Sequence, residues 1–181
     1  MAEKYVDIDT LKYLLYDIHN LEDLLVRDRF QDHDKESLDM FIDSVKEFAD
    51  RELFPYVKEM DENPAYHKDG KVFVHDQVKT MMYKGGEMGL ISAPFNYEDG
   101  GMQIPFLSHT AATYILDAAN NHLPGYAGLT QGAAELIIHF ANKELNQTYV
   151  PNMLYGQWGG TMCLTEPQAG SSLSDIVTKA T

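Results

Sequence analysis

The chain has 181 residues, of which 44% are apolar and 23% charged, a balance typical of folded globular proteins and not of disordered or fibrous chains. The formal net charge of −14 argues against nucleic acid or an anionic membrane as a partner, because an acidic surface repels both. A single cysteine rules out an intrachain disulfide framework and favours a reducing compartment.

The beginning of the chain has neither a basic stretch followed by an apolar run nor the arginine-rich composition of a transit peptide. No apolar run in the sequence approaches the roughly 18 residues that a membrane span requires. We therefore expect a cytoplasmic protein without a membrane span.

Two amphipathic helices are predicted in the first third of the chain. Apolar residues recur at helical spacing over residues 11–25 and again over residues 38–53. The second helix has Asp34 as a candidate N-cap and is expected to end before Pro55. Both apolar stripes are expected to pack in the core of a helix bundle.

Four further helices are predicted after a polar hinge at residues 61–64. The third contains Val78, Met81 and Met82, and the fourth begins with Pro105 in its first turn. The fifth covers residues 129–140, and the sixth has Asn142 as its N-cap. Residues 90–105 are rich in glycine and proline, which indicates a connection over the surface.

The pattern changes at Gly156. Residues 158–164 are mostly aromatic, β-branched or apolar and are bounded by glycines and a proline, so they predict a strand, and residues 176–178 predict a second. The expected fold is mainly α: a bundle of about six helices followed by the first one or two strands of a truncated β domain.

The sequence gives little support to several kinds of catalytic site. The seven histidines include no pair at metal-binding spacing, and no phosphate-binding P-loop or nucleophile-elbow motif is present. Cys163 lies in the predicted apolar strand, where a lone cysteine is usually inert. Glu166, in an exposed turn, could serve as a general acid or base, but support of the loop is the favoured interpretation.

The loop at residues 164–172 is the most promising chemical feature. Thr165 and Ser171 offer hydroxyl donors, and Gly170 would allow a positive φ that exposes backbone N–H groups to an anion such as pyrophosphate. From these residues alone, an ordinary turn between two strands is the favoured interpretation of the segment.

The sequence Leu-Thr-Glu-Pro-Gln-Ala-Gly-Ser-Ser at residues 164–172 resembles the flavin-loop signature of the acyl-CoA dehydrogenase family, L/V-T-E-P-x-A-G-S-D. Residues 48–55 resemble the family's F-A-x-x-E-x-x-P helix end, and residues 87–90 resemble its E-x-G-L. Residues 94–101 resemble its P-x-x-Y-G-G turn, with two residues added before the glycines. Residues 149–151 and 156–158 resemble its Y-L-P and G-E-W, so the ordered match extends over about residues 40 to 181.

The resemblance implies an FAD-dependent enzyme that removes hydrogens from Cα and Cβ of an acyl-CoA thioester, with hydride passing from Cβ to flavin N5. It implies acyl-CoA as substrate, an electron acceptor such as an electron-transfer flavoprotein, and a homo-oligomer at full length. Leu164 and Thr165 would lie beside the isoalloxazine ring, and Ser171 near both the FAD pyrophosphate and the substrate. The cofactor-binding residues carried over in this way are Met162, Cys163, Leu164, Thr165, Gly170 and Ser171.

The resemblance also implies a domain division. Residues 1–157 would form the helical N-terminal domain, with residues 1–35 as an extra N-terminal helix, and residues 158–181 would begin the middle β domain. The family's catalytic carboxylate is expected beyond residue 181, so these 181 residues alone are expected to be inactive and to hold FAD weakly.

Two residues depart from the family pattern, since Ser172 replaces the usual aspartate and Gln168 stands where small residues are common. Gln131 and Gly132 are candidates to line the acyl pocket, with a role in the helix core as the other interpretation. Three functions remain open on the sequence: a dehydrogenase, an acyl-CoA oxidase or related flavin oxidase, and a non-catalytic helical interaction module.

Overall fold

α-Helices dominate the computed structural model, which describes residues 5–179. The helices are α1 (Ile8–Tyr13), α2 (Glu22–Leu25), α3 (Lys35–Phe48), α4 (Val57–Glu62), α5 (Asp76–Glu87), α6 (Phe106–Asn120), α7 (Pro124–Phe140) and α8 (Lys143–Leu154). Two strands, β1 (Tyr66–Lys68) and β2 (Lys71–Phe73), form an antiparallel hairpin. Short π-helical turns occupy Leu14–Ile18 and Ala49–Leu53, and 3-10 turns occupy Asp28–Phe30, Phe54–Tyr56, Tyr97–Asp99 and Leu173–Asp175. The mainly α fold class predicted from the sequence is confirmed.

Helix α3 lies at the centre of the core, against α6. As predicted, Asp34 is its N-cap: the carboxylate accepts a hydrogen bond from the Ser37 backbone N–H (2.7 Å), and the Ser37 hydroxyl accepts one from the Asp34 N–H (2.9 Å). The apolar stripe of the helix is buried at Leu38, Phe41, Ile42, Val45 and Phe48. The π-helical turn after this helix keeps Ala49 and Leu53 in the same core.

The first predicted helix is interrupted. Helix α1 and its π-helical turn end at Ile18, and α2 begins only at Glu22, because Asn20 adopts a left-handed backbone with φ of 49°. Asparagine enters this region more easily than most residues do, so the break has a local cause. The prediction of one continuous helix over residues 11–25 was wrong.

The segment before α3 is attached to the rest of the protein by polar contacts. Lys12 pairs with Asp43 of α3 (Nζ to Oδ1, 2.8 Å). Arg29 donates a hydrogen bond to the Asn96 side chain, and Gln103 donates one to the Arg29 backbone carbonyl (2.9 Å). These contacts fix the described part of residues 1–35 on both α3 and the connection at residues 90–105.

The last four predicted helices are confirmed as α5 to α8, although α7 begins at Pro124, earlier than expected. Asn142 caps α8 as predicted, accepting a hydrogen bond from the Leu145 N–H (2.9 Å). Helix α5 and the end of α8 approach closely at two glycines. A Cβ on Gly86 would lie 2.3 Å from the Tyr155 carbonyl oxygen, and one on Gly156 would lie 1.8 Å from that of Met82.

The buried side chain of Asn120 connects the end of α6 to the π-helical turn after α3. Its Nδ2 donates to the Leu53 carbonyl oxygen (3.1 Å), and its Oδ1 accepts from the His122 N–H (3.2 Å). Only 1% of this residue is exposed. Because a buried amide needs partners, Asn120 stabilises this part of the core through specific hydrogen bonds.

The sequence interpretation missed the β1–β2 hairpin. Asp69 and Gly70 form its turn with φ values of 52° and 75°, as a tight two-residue hairpin turn requires. Tyr66 and Phe73 face each other across the strands with stacked rings 5.0 Å apart. All six strand residues are exposed, so the hairpin lies outside the core.

The strands predicted at residues 158–164 and 176–178 are not formed. Within residues 158–179, the only pairing is an isolated bridge between Glu166 and Ala169. A strand requires a neighbour to satisfy its backbone hydrogen bonds, and no described segment supplies one here. Among residues 5–179, no helix is long and apolar enough to cross a membrane.

Candidate functional site

The candidate site is the loop at residues 164–172, and its approach is anchored on α7. The Gly160 N–H donates to the hydroxyl of Thr130 (3.0 Å), a fully buried residue. A Cβ on Gly160 would lie 2.6 Å from the Cβ of Ala133, so only glycine fits against the helix at this distance. Just before this point, Trp158 packs edge-on against Tyr149, with ring centroids 5.7 Å apart. The loop therefore leaves the helical bundle from a fixed position.

All six residues that were predicted to bind the cofactor are exposed. They are Met162, Cys163, Leu164, Thr165, Gly170 and Ser171. The structure brings two members of this set together, because a Cβ on Gly170 would lie only 3.8 Å from the Thr165 methyl carbon. Two hydroxyl side chains and a glycine of this loop are thus exposed.

Two details of the predicted loop were wrong. Cys163 is exposed in an irregular segment and not inside an apolar strand. Gly170 is absent from the positive-φ glycines of residues 5–179, so the loop does not need glycine for its backbone conformation. The turn is closed instead by the two hydrogen bonds between the backbones of Glu166 and Ala169 (2.9 and 3.2 Å).

The carboxylate of Glu166 connects this loop to residues 177–178. It accepts hydrogen bonds from the Thr178 hydroxyl, the Val177 N–H (2.9 Å), the Thr178 N–H (2.8 Å) and the Gln168 amide (2.6 Å). These donors, first of all the Thr178 hydroxyl, lower the pKa of Glu166 to about 2. The side chain is thus fully engaged as an ionised acceptor, in keeping with support of the loop and not with a general acid.

A groove of about 340 Å³ adjoins the base of the loop. It lies between α5, the start of α7 and the approach to the loop, and is lined by Val74, Val78, Lys79, Met82, Tyr83, Tyr126, Gly156, Gln157, Gly159, Gly160 and Thr161. Lys79 supplies a cation here, with its Nζ 5.6 Å from the centre of the Tyr83 ring. The sequence interpretation missed this residue because α5 is distant from the loop in sequence and carries no motif.

Gln131 and Gly132 of α7 have different surroundings. The Gln131 amide donates to the carbonyl oxygens of Leu90 (3.3 Å) and Ile91 (2.8 Å) and lines a cavity of about 40 Å³ between α6 and α7. Burial lowers the pKa of His109, which lines the same cavity. Gly132 is exposed, with no atom within 4 Å of a Cβ built on it. Gln131 therefore has a clear structural role.

Within residues 5–179, no group of three or more histidine, cysteine, aspartate or glutamate side chains is placed to hold a metal ion. The chemistry that this surface offers is instead hydroxyl and backbone hydrogen bonding. Thr165 and Ser171 are exposed, while the carboxylate of Glu166 accepts hydrogen bonds from Gln168 within the loop and from the backbone of Val177 and Thr178 beyond it. Such hydroxyl groups can donate hydrogen bonds to an anionic group.

The sequence profile of the N-terminal domain of acyl-CoA dehydrogenases matches residues 35–157, which is more than half of the chain. The chain belongs to the acyl-CoA dehydrogenase family. The matched region contains α3 to α8, and it ends just before the segment that leads into the 164–172 loop.

Two curated acyl-CoA dehydrogenases and one solved structure illustrate the similarity. The chain is 34% identical over 109 residues to 3-methylmercaptopropionyl-CoA dehydrogenase of Ruegeria pomeroyi, covering 60% of this chain and 18% of that protein. It is 28% identical over 173 residues to butyryl-CoA dehydrogenase of Syntrophomonas wolfei, covering 93% of this chain and 28% of that protein. The structure of glutaryl-coenzyme A dehydrogenase in complex with glutaryl-CoA superposes with a TM-score of 0.67 at 20% identity. The superposition covers 80% of this chain and 35% of that one, and the similarity concerns the fold alone.

The chain spans only about a fifth to a third of the length of these relatives. In this acyl-CoA dehydrogenase family chain, residues 35–157 correspond to the helical N-terminal domain of the family.

Proposed function

We propose that this chain is the N-terminal part of an FAD-dependent acyl-CoA dehydrogenase and that its 164–172 loop forms one wall of the flavin and acyl-CoA site. One observation carries the proposal: a loop with the family's flavin signature is anchored at Gly160 and Glu166 while its hydroxyl residues stay exposed. An ordinary turn would not need to keep Thr165 and Ser171 free on a fixed backbone. A bound cofactor would use both.

Each loop residue has a proposed role. Met162, Cys163, Leu164 and Thr165 contact the flavin, with Leu164 and Thr165 beside the isoalloxazine ring. Gly170 leaves space on the exposed surface, since only the Thr165 methyl lies within 4 Å of the position that a Cβ would take there. FAD would supply the acceptor for the hydride that leaves the substrate's Cβ. The loop's donors would favour negative charge on the reduced ring and hold the pyrophosphate.

Ser171 has the most specific proposed role, because its exposed hydroxyl is small enough to approach both the pyrophosphate and the acyl-CoA. No residue of this chain is proposed to take the α-proton, a step that we assign to a carboxylate beyond residue 181. Glu166 is unsuited to it, because an ionised carboxylate with a pKa of about 2 is a weak base.

The organisation of the protein follows from the same proposal. Residues 1–157 are the helical domain, with residues 1–35 as an added segment, and residues 158–181 begin the middle β domain. We further propose an electron-transfer flavoprotein as electron acceptor, a homo-oligomer at full length, and a cytoplasmic role in fatty acid metabolism. The match of the family to residues 35–157 supports the two internal boundaries.

The test is a panel of acyl-CoA thioesters added to the full-length protein with bound FAD. Short, branched, aromatic and long acyl groups are compared by the loss of oxidised flavin absorbance under anaerobic conditions. Bleaching by at least one member is the expected result, and bleaching by none would refute the proposal. Stoichiometric hydrogen peroxide in air, without an added acceptor, would instead identify an oxidase.

A further inference from the structure

We propose that Glu166 is a positioning residue whose carboxylate, bound by Gln168 and by the backbone of Val177 and Thr178, holds the 164–172 loop in the shape that binds flavin. The inference rests on the proposed function, because it assigns a role toward the same site. It concerns a residue that does not itself contact the cofactor.

The contacts of the carboxylate connect two separate parts of the chain. Oε1 accepts from the Thr178 N–H and hydroxyl, and Oε2 accepts from the Val177 N–H and the Gln168 amide. Hydrogen bonds to an ionised acceptor are about twice as strong as neutral ones. Glu166 thereby closes the segment between itself and Thr178 into a ring, which contains the whole C-terminal half of the loop.

Gln168 makes this arrangement particular to this sequence. Its amide donates to Oε2 of Glu166 at 2.6 Å, a contact that the small side chains common at this position in the family could not make. The Glu166–Ala169 backbone bridge lies around the same turn. Side-chain and backbone hydrogen bonds therefore define one turn together, and its shape depends on the charge at Glu166.

The direction of the carboxylate also matters electrostatically. A negative charge facing the exposed surface would repel a pyrophosphate, whereas here it is directed at the backbone N–H groups of Val177 and Thr178. Thr165 and Ser171 are exposed, so their hydroxyls are accessible to an incoming anion. Removing the carboxylate would release the Val177–Thr178 segment and loosen the loop, so the binding surface would lose its fixed shape.

The experiment compares Glu166→Ala, Glu166→Gln and Gln168→Ala in the full-length enzyme, with Asp175→Asn as the matched control. Asp175 carries the same charge in the same exposed segment, but among residues 5–179 its carboxylate accepts a side-chain hydrogen bond only from the Ser174 hydroxyl, at 3.5 Å. Three quantities are measured for each protein: amide hydrogen exchange of the peptide containing residues 176–179, the dissociation constant of FAD after its removal and re-addition, and the melting temperature.

We expect Glu166→Ala to accelerate exchange in this peptide and to raise the FAD dissociation constant about tenfold, as loss of charge-assisted hydrogen bonds implies. Glu166→Gln should give a smaller increase, because its amide oxygen can still accept. Gln168→Ala should give about a threefold increase, and Asp175→Asn less than about twofold. This graded order of FAD dissociation constants distinguishes a positioning role from general destabilisation. Under general destabilisation, the dissociation constants would instead follow the melting temperatures of the variants.

Two results would overturn the inference. One is a Glu166→Ala enzyme with faster exchange but wild-type affinity for FAD, since the contacts would then exist without affecting the cofactor. The other is unchanged exchange in Glu166→Ala. Failure of the proposed function is recognised separately, because the unsubstituted enzyme would then show no flavin binding or no bleaching by acyl-CoA.

Discussion

Gly156→Ala is expected to be the most damaging single methyl addition at the contact between α5 and the end of α8. The residue has a φ of 70°, which costs about 1–2 kcal/mol for a non-glycine residue. Its new Cβ would also lie 1.8 Å from the backbone oxygen of Met82, and forced movement of a packed backbone costs about 1–3 kcal/mol more. The combined loss of unfolding free energy is about 2–5 kcal/mol.

Substitutions at two other glycines separate the cost of backbone strain from the cost of the steric clash. Gly100 has a φ of 86° but no atom within 4 Å of a Cβ, so Gly100→Ala should cost only the backbone strain, about 1–2 kcal/mol. Gly132 lies in α7 with open space around it, so Gly132→Ala should stabilise the protein by about 0.5–1 kcal/mol. Urea unfolding followed by circular dichroism measures all three. If Gly156→Ala lost no more stability than Gly100→Ala, the close approach of α5 and α8 would be refuted.

Two further predictions concern polar side chains. Asn120→Ala should lower the unfolding free energy by about 1–3 kcal/mol in urea titrations, because the buried Leu53 carbonyl loses its donor. A loss below about 0.5 kcal/mol, half of the lower bound, would contradict that role. Thr178→Val should raise the pKa of Glu166 from about 2 toward 4.5, as followed by carbon NMR of its carboxyl group. The folded-state pKa is the lower one, so the stabilisation is complete above about 4.5 and is lost as the pH falls toward 2. An unchanged titration in Thr178→Val would show that its hydroxyl is not a principal donor.

The helices could be predicted because their signals are local. The cap at Asp34 and the apolar stripe of α3 require only residues three or four positions apart, and the same holds for the cap at Asn142. The break at Asn20 was missed because one polar residue with a left-handed backbone does not disturb the apolar spacing on either side. Local patterns therefore predicted where helices form better than where they stop.

The strand predictions were wrong for the opposite reason, because strand formation depends on distant segments. A β-rich composition at residues 158–164 predicts a strand only if a partner lies beside it, and residues 5–179 provide none. The hairpin at β1 and β2 was overlooked, although its Asp-Gly turn is a recognised signal, because each strand has only three residues. Pairing between distant segments cannot be derived from the composition of one of them.

The candidate loop was identified through resemblance, and its internal geometry was not predictable. The contact between Glu166 and Thr178 joins residues 12 positions apart through irregular backbone, which no helical or strand period describes. The departure at Gln168 indicated that the loop's hydrogen bonding could differ, and the structure shows the contact that it makes. Residue identity suggested the site, and only the folded structure showed which side chains hold it.

The β1–β2 hairpin offers an attachment point for reporters. Its tip at Asp69 and Gly70 is exposed, and no atom lies within 4 Å of a Cβ on Gly70. A fluorophore or a short peptide tag inserted there would meet solvent and not the core, as exposed loop tips generally allow. Such a label would let the proposed cofactor binding and assembly be tested in solution without altering the helices or the 164–172 loop.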